Sequence, residues 1–346
     1  MSPFSPSDIS FHILTSFKLW MFIYIIFVSC ISIVTSFTLH LMFVGLFMCI
    51  LAYLKLPSPN VDLVNEVLGD LSYTKRKDVG EVVAHRAACL DAPENSLEAV
   101  REAVKNGAKW IEFDISFTRD NVGVVFHDDV VDRVTDGSGP IEDFTMEQLS
   151  KLDLSVKHPK SDKFSGARIP RVDQFVEECL KNNIKMIIDL KTYTMPEETV
   201  GLLTSLYSKY PTLKRNSFVT SFFPNLLYKL RSTDPDIVTA ISTRPGFISC
   251  VTWEGTQASI THRFSGVKHL IAIVSDAIFQ PLLELVMWWV LGLSAVLYTR
   301  HVITPEFVDT WHTRGVTVMA WTVNCPKEKQ FYTKVIKIPV LSDTIL

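Results

Sequence analysis

Eight short apolar runs beyond residue 80, separated mostly by amphipathic segments, restrict the fold of this chain more than any other feature. They are Val82–His85, Trp110–Ile115, Val122–His127, Lys185–Leu190, Phe218–Ser221, Ile237–Ile241, Val316–Trp321 and Pro339–Leu341. Between them, Ser96–Lys105, Val172–Asn182, Glu197–Tyr210 and Pro224–Arg231 carry helical periodicity. Strands alternating with helices imply a parallel sheet with helices packed outside it, and eight such units close into a (β/α)8 (TIM) barrel. A doubly wound open sheet is the second choice, but it lacks the G-x-G-x-x-G turn expected after its first strand. The barrel is expected to be irregular. Only residues 118–121 separate the second and third runs, too few for a helix, and little chain follows Leu341 to supply a last one. The polar segment Asp128–Pro170 has a length usually kept for function.

Two stretches are too apolar for an ordinary barrel. Leu19–Leu54 contains no Asp, Glu, Lys or Arg. A membrane span needs about 20 apolar residues, and a secretory h-region only about 7 to 15. An N-terminal anchor is therefore expected over residues 1–56, as one long crossing or two short ones turning near Thr38-Leu39-His40. A linker over 57–80, opening on Pro57-Ser58-Pro59, would lead to a barrel domain over 81–346. This describes an integral protein of an endomembrane or the plasma membrane. Lys18 on one flank, against Lys55 and Lys75-Arg76-Lys77 on the other, leaves its sidedness open.

The second stretch, 270–299, is interrupted by Asp276, Pro281 and Glu284. Barrel strands are expected on both sides of it and must share one compartment, which excludes an odd number of crossings. Two full crossings do not fit in so few residues. An interfacial or re-entrant helical hairpin is expected, with Trp288 and Trp289 near headgroup level. A soluble apolar insertion packed on the barrel is the alternative. Net charge is −3 and no basic stripe with interleaved aromatics occurs, so nucleic acid is not an expected partner. The six cysteines are scattered without a C-x-x-C pair, which argues against a disulfide scaffold or a zinc site.

The strand sequences carry the chemistry. In Lys109–Ile115, Ile111, Phe113 and Ile115 share one face, and Glu112 and Asp114 the other. If the apolar face meets the helices, two carboxylates point into the barrel, where Val, Ile or Leu is usual. Buried acids side by side repel unless a cation lies between them. Met186–Lys191 repeats the pattern with Asp189 inward and Lys191 just beyond, as a balancing charge or an anion contact. Three carboxylates without clustered Cys or His form a hard site, for which Mg²⁺ is expected and Ca²⁺ is the alternative. His85 and His127 each end a run, and imidazoles near neutrality can accept and donate protons. Arg86, following His85, suits a phosphate oxygen. Asn95 reads as a helix N-cap, with Glu98 reaching back.

These residues, in this order, resemble the glycerophosphodiester phosphodiesterase family. The match runs through His85-Arg86, Pro93-Glu94-Asn95-Ser96, Glu112-Phe113-Asp114 and His127-Asp128. It continues through Asp132–Gly139, Ile169-Pro170 and Asp189-Leu190-Lys191 to Trp321-Thr322-Val323-Asn324. The two apolar stretches resemble the membrane-bound animal branch, which acts on glycerophosphoinositol and glycerophospho-N-acylethanolamines. The resemblance implies an acid/base pair in His85 and His127, and a divalent metal held by Glu112, Asp114 and Asp189. It implies phosphate contacts from Arg86 and Lys191, and an apolar wall beside the glycerol from Phe222 and Trp321. Either the glycerol hydroxyl or water would attack phosphorus. Two departures stand out. Ala87-Ala88 follow His-Arg where many members have Gly, and Asp189 stands where Glu is frequent.

The resulting expectation is metal-dependent hydrolysis of glycerophosphodiesters to glycerol 3-phosphate and an alcohol. A lysophospholipase D or sphingomyelinase D-like lipid phosphodiesterase is the first alternative, and a membrane scaffold without catalysis the second.

Overall fold

A computed structural model describes residues 6–69, 80–191, 195–252 and 260–345, with side chains from residue 20 onward. The basic cluster Lys75-Arg76-Lys77 lies outside the described residues, as does part of the stretch expected as a linker. The chain divides into two compact units, Met1–Lys55 and Leu56–Leu346.

The first unit is one helix, Pro6–Leu54. Its Trp20–Leu54 portion is long and apolar enough to cross a membrane, with a mean hydropathy of 2.2. The helix runs unbroken through Thr38-Leu39-His40, so the turn allowed for there does not occur. Thr38 Oγ1 donates to the Thr35 carbonyl, and His40 Nδ1 lies 2.6 Å from the Ser36 carbonyl. Both polar side chains are thus satisfied by their own helix backbone, without a break.

The second unit is the barrel. Its strands are β1 (Val82–Ala84), β2 (Trp110–Phe117), β3 (Gly123–Val125), β4 (Lys185–Leu190), β5 (Ser217–Ser221) and β6 (Thr239–Thr243), then β7 (Cys250–Thr252), β8 (Thr261–His262), β9 (Ala295–Thr299), β10 (Thr317–Trp321) and β11 (Val340–Ser342). Eight of them, β1, β2, β4, β5, β6, β9, β10 and β11, pair in parallel and close where Ala84 of β1 meets Ile111 of β2.

Two assignments differ from the sequence reading. The third run is not a barrel strand. β3 returns antiparallel along the end of β2, with Val125 opposite Ile115, which explains why a short turn suffices between them. The missing barrel strand is β9, whose residues closed the second apolar stretch. It pairs Ala240 with Ala295 and Thr243 with Tyr298. That stretch is therefore the crossover between neighbouring strands, a helix over Gly266–Leu282 that continues through a wider turn to Leu291. Its Asp276 accepts from the amides of Ile248 and Ser249, and Glu284 meets Gln280 Nε2 at 2.8 Å. The polar interruptions thus bind the barrel side, while Val267, Leu270, Ile271 and Val274 stay exposed.

Strand alternation sorts the core into two layers. Ile111, Phe113, Ile115, Met186, Ile188 and Leu190 face the helices, leaving Glu112, Asp114 and Asp189 to the interior. At the amino ends of the strands the interior is filled by Val83, Trp110, Ile187, Phe218, Ala295, Met319 and Leu341. Val67 and Leu68 join this cluster from a helix, Val61–Leu68, within the stretch expected as a linker.

Candidate active site

At the carboxyl ends of the strands a cavity of about 220 Å³ opens. His85, Arg86, Glu112, His127, Asp189, Lys191, Phe222 and Trp321 all line it. Asp114, the ninth residue expected here, is fully buried and lies 3.2 Å through its Oδ1 from Lys191 Nζ.

The segment after β1 is wound tightly. Arg86, Ala87 and Ala88 all have positive φ, between 49° and 66°, a conformation costing roughly 1–2 kcal/mol per non-glycine residue. The bend turns the Arg86 amide onto Glu112 Oε2 at 2.8 Å and starts the guanidinium back over the acids. Arg86 Nη1 lies 3.5 Å from Glu94 Oε1, and Nε lies 3.9 Å from Asp114 Oδ2. Glu94 is fixed in turn by a two-pronged bond from Arg133, at 2.6 and 2.9 Å. Asn95 does not cap the following helix. Ser96 does so, accepting from the Ala99 amide, while Asn95 at φ 57° donates Nδ2 to Asp114 Oδ2 at 2.9 Å.

Each histidine rests on a carboxylate. His85 Nδ1 lies 2.6 Å from Asp343 Oδ1, and His127 Nδ1 lies 2.6 Å from Asp128 Oδ1. With Nδ1–H donated to the acid, Nε2 of each ring carries the lone pair. Burial lowers the His85 pKa, against the opposing pull of Asp343. His127 reaches the site by descending along β3 from above the barrel, so its place at the mouth does not follow from the parallel-strand rule.

Glu112, Asp114 and Asp189 bring one oxygen each within 4.8 Å of the others. Burial, then the neighbouring Asp114 and Asp189 charges, pushes the Glu112 pKa well up. Burial also raises Asp189 against the pull of Lys191. Burial alone would raise Asp114 as well, but Lys191, His127 and Arg86 outweigh it and hold it below the usual carboxylate range. Asp189 Oδ1 is buried without a hydrogen bond, while Asp114 Oδ1 has the Lys191 ammonium 3.2 Å away. A bare oxygen in an all-carboxylate set fits a hard divalent cation.

The remaining wall is aromatic. Phe222 meets Trp321 edge-to-face at 5.7 Å, stacks on Phe247 at 4.8 Å, and lies under Lys191 Nζ at 5.6 Å. Three residues here escaped the sequence reading. Asp128 was visible beside His127 but received no role. Arg244 lines the cavity one residue past β6, and a run ended at Ile241 stopped short of it. Asp343 lies in the last few residues, where nothing local marks it.

The family model for the glycerophosphoryl diester phosphodiesterase family matches residues 85–346. Glycerophosphodiester phosphodiesterase 1 of Mus musculus is 36% identical over 277 residues, covering 80% of this chain and 81% of that protein. Among solved structures, a glycerophosphodiester phosphodiesterase from Agrobacterium tumefaciens aligns with a TM-score of 0.56 at 21% identity, over 77% of this chain and 97% of the other. An Oleispira antarctica phosphodiesterase, solved with its product sn-glycerol-3-phosphate, aligns with a TM-score of 0.60 at 22% identity, over 77% of this chain and 93% of the other. The chain belongs to the glycerophosphodiester phosphodiesterase family and is an enzyme, a phosphoric diester hydrolase. The family depends on a divalent metal, and the chain carries an acidic cluster to match.

Proposed function

We propose that this enzyme hydrolyses glycerophosphodiesters of the glycerophosphoinositol or glycerophospho-N-acylethanolamine type to glycerol 3-phosphate and an alcohol. The observation carrying this reading is a buried three-carboxylate cluster, flanked by two histidine–carboxylate pairs in one cavity. Glu112, Asp114 and Asp189 would hold the cation, Mg²⁺ in preference to Ca²⁺. When bound, it would neutralise charge developing on the phosphoryl oxygens.

The protein's own groups do the rest. Arg86 Nε and Trp321 Nε1 are buried donors without a hydrogen-bond partner, suited to a phosphate oxygen and a glycerol hydroxyl. Lys191, poised over Asp189 and Phe222, adds a second phosphate contact. One ring, neutral with its lone pair on Nε2, takes the proton of the attacking hydroxyl or water, and the other, entering as imidazolium with both nitrogens protonated, gives its Nε2 proton to the leaving alkoxide. Asp343 and Asp128 keep both rings in the required tautomer. Phe222 and Trp321 form the wall beside the glycerol.

The chain would act as an integral membrane enzyme, anchored through residues 1–56, with the catalytic domain over 81–346 and residues 57–80 joining them. The name of the 36%-identical animal relative, glycerophosphodiester phosphodiesterase 1, supports glycerophosphodiesters as the general substrate class. The test is release of glycerol 3-phosphate from glycerophosphoinositol by detergent-purified protein, with Mg²⁺, with Ca²⁺ and with chelator. Metal-dependent release is expected. Release only from a lysophospholipid offered in parallel would overturn the substrate assignment.

A further inference from the structure

The apolar crossover and the aromatic wall are joined by one loop, residues 245–251 at the mouth of the barrel. Arg244 wraps its guanidinium around this loop, donating to the carbonyls of Pro245, Gly246, Cys250 and Val251 at 2.8–3.3 Å. From the other side Asp276 of the crossover helix accepts from the amides of Ile248 and Ser249 at 2.8 and 2.9 Å. A cation therefore gathers the carbonyls and an anion gathers the amides, each bond strengthened by the charge. Between these grips is Phe247, stacked on Phe222 with the ring planes 25° apart.

We infer that Asp276 is a positioning residue for the substrate pocket. It fixes loop 245–251, so that Phe247 holds Phe222 upright beside Trp321 and beneath Lys191. This rests on the reading above of Phe222 and Trp321 as the pocket wall. It also accounts for a carboxylate in the middle of a helix whose outer face is Leu270, Ile271 and Val274. Asp276 is paid for by the loop it organises, not by a place in the helix itself. A wall of this kind meets bound substrate and transition state alike, so loosening it raises KM more than it lowers kcat.

The test compares Asp276→Ala, Asp276→Asn and Phe247→Leu in the full-length, detergent-solubilised protein. Glycerol 3-phosphate release is assayed, and the ¹⁹F resonance of Trp321 is followed after 5-fluorotryptophan incorporation and assigned by its loss in Trp321→Phe. In Asp276→Ala we expect KM to rise roughly tenfold with kcat within about threefold of the parent, and the Trp321 resonance to shift. Asp276→Asn should fall between, keeping one acceptor oxygen. Phe247→Leu should reproduce the KM effect with the grip intact, and it decides the matter if Asp276→Ala does not fold. Unchanged KM with an unmoved resonance, in either folded variant, overturns the inference. A parallel fall in kcat and thermal stability without a KM effect does so too. The resonance needs no turnover, so an inactive parent would refute the proposed substrate while leaving the positioning role to be read from the spectrum.

Discussion

At the scale of single residues, the site depends on partners that hold the reacting groups, and Asp343 makes the sharpest case. Its carboxylate accepts from His85 Nδ1 at 2.6 Å. Its hydrogen bond and charge raise a ring that burial otherwise lowers. Asp343→Asn keeps an acceptor but removes the charge, so His85 should drop further. A base protonates as pH falls through its pKa, and the acidic limb of the kcat/KM profile should therefore move to lower pH. The plateau should fall about 10²-fold, because the ring loses its enforced tautomer. A pH–rate series on both proteins checks this, and a limb that stays put or moves upward would show that His85 is not the titrating group. The reacting residues were legible because each stands in a short motif on a strand or just past its end, with alternation orienting Glu112, Asp114 and Asp189. Asp343 was not, since its role depends on a contact spanning 258 residues of sequence, and no local pattern encodes that.

At the scale of elements, the sequence defined the layers better than the strand inventory. Alternation in β2 and β4 placed Glu112, Asp114 and Asp189 inside, because period two leaves only one face for the helices to cover. The third run and β9 were misjudged for a common reason. Apolar content marks burial but not pairing direction, so a hairpin arm passed for a barrel strand, and a barrel strand passed for the end of a membrane-like stretch. The facing acids on β2 and β4 also make a prediction. Their carboxylates repel at close range without a cation, so a divalent ion that binds only the folded state must stabilise the barrel. At a concentration about 100-fold above its dissociation constant the gain is about 2.7 kcal/mol, or roughly 5–11 °C in Tm for a domain of this size. Differential scanning calorimetry with Mg²⁺ and then EDTA should show that rise, and Glu112→Gln should greatly reduce it. A parent Tm indifferent to Mg²⁺, Ca²⁺ and chelator would remove the cluster from consideration as a metal site.

At the scale of the whole molecule, the described part of the stretch expected as a linker, residues 57–69, packs on the barrel. Leu56 donates its amide to the Val290 carbonyl at 2.9 Å, and Arg231 Nη2 donates to the Pro57 carbonyl at 2.6 Å. Lys185 Nζ reaches the Glu66 and Val67 carbonyls at 2.9 and 3.2 Å, while Val67 and Leu68 are at most 1% exposed. A side chain of this size contributes about 1.5–3 kcal/mol on burial, so the pair is worth roughly 3–6 kcal/mol. The whole stability of a domain is typically about 5–15 kcal/mol. Deleting Met1–Lys55 cuts between the two compact units and should leave a barrel that melts like the parent and still cleaves a water-soluble diester. Deleting onward through Gly80 opens the amino end of the barrel, and Tm should fall by at least about 6 °C, given roughly 2–4 °C per kcal/mol at this size. The site lies at the opposite end, so loss of activity should follow loss of folding on heating and not precede it. Thermal melts and activity measured together on both truncations decide the point. If the shorter chain melts within about 2 °C of the longer one, a difference worth no more than about 1 kcal/mol, the helix Val61–Leu68 only joins the two units, and the barrel closes without it.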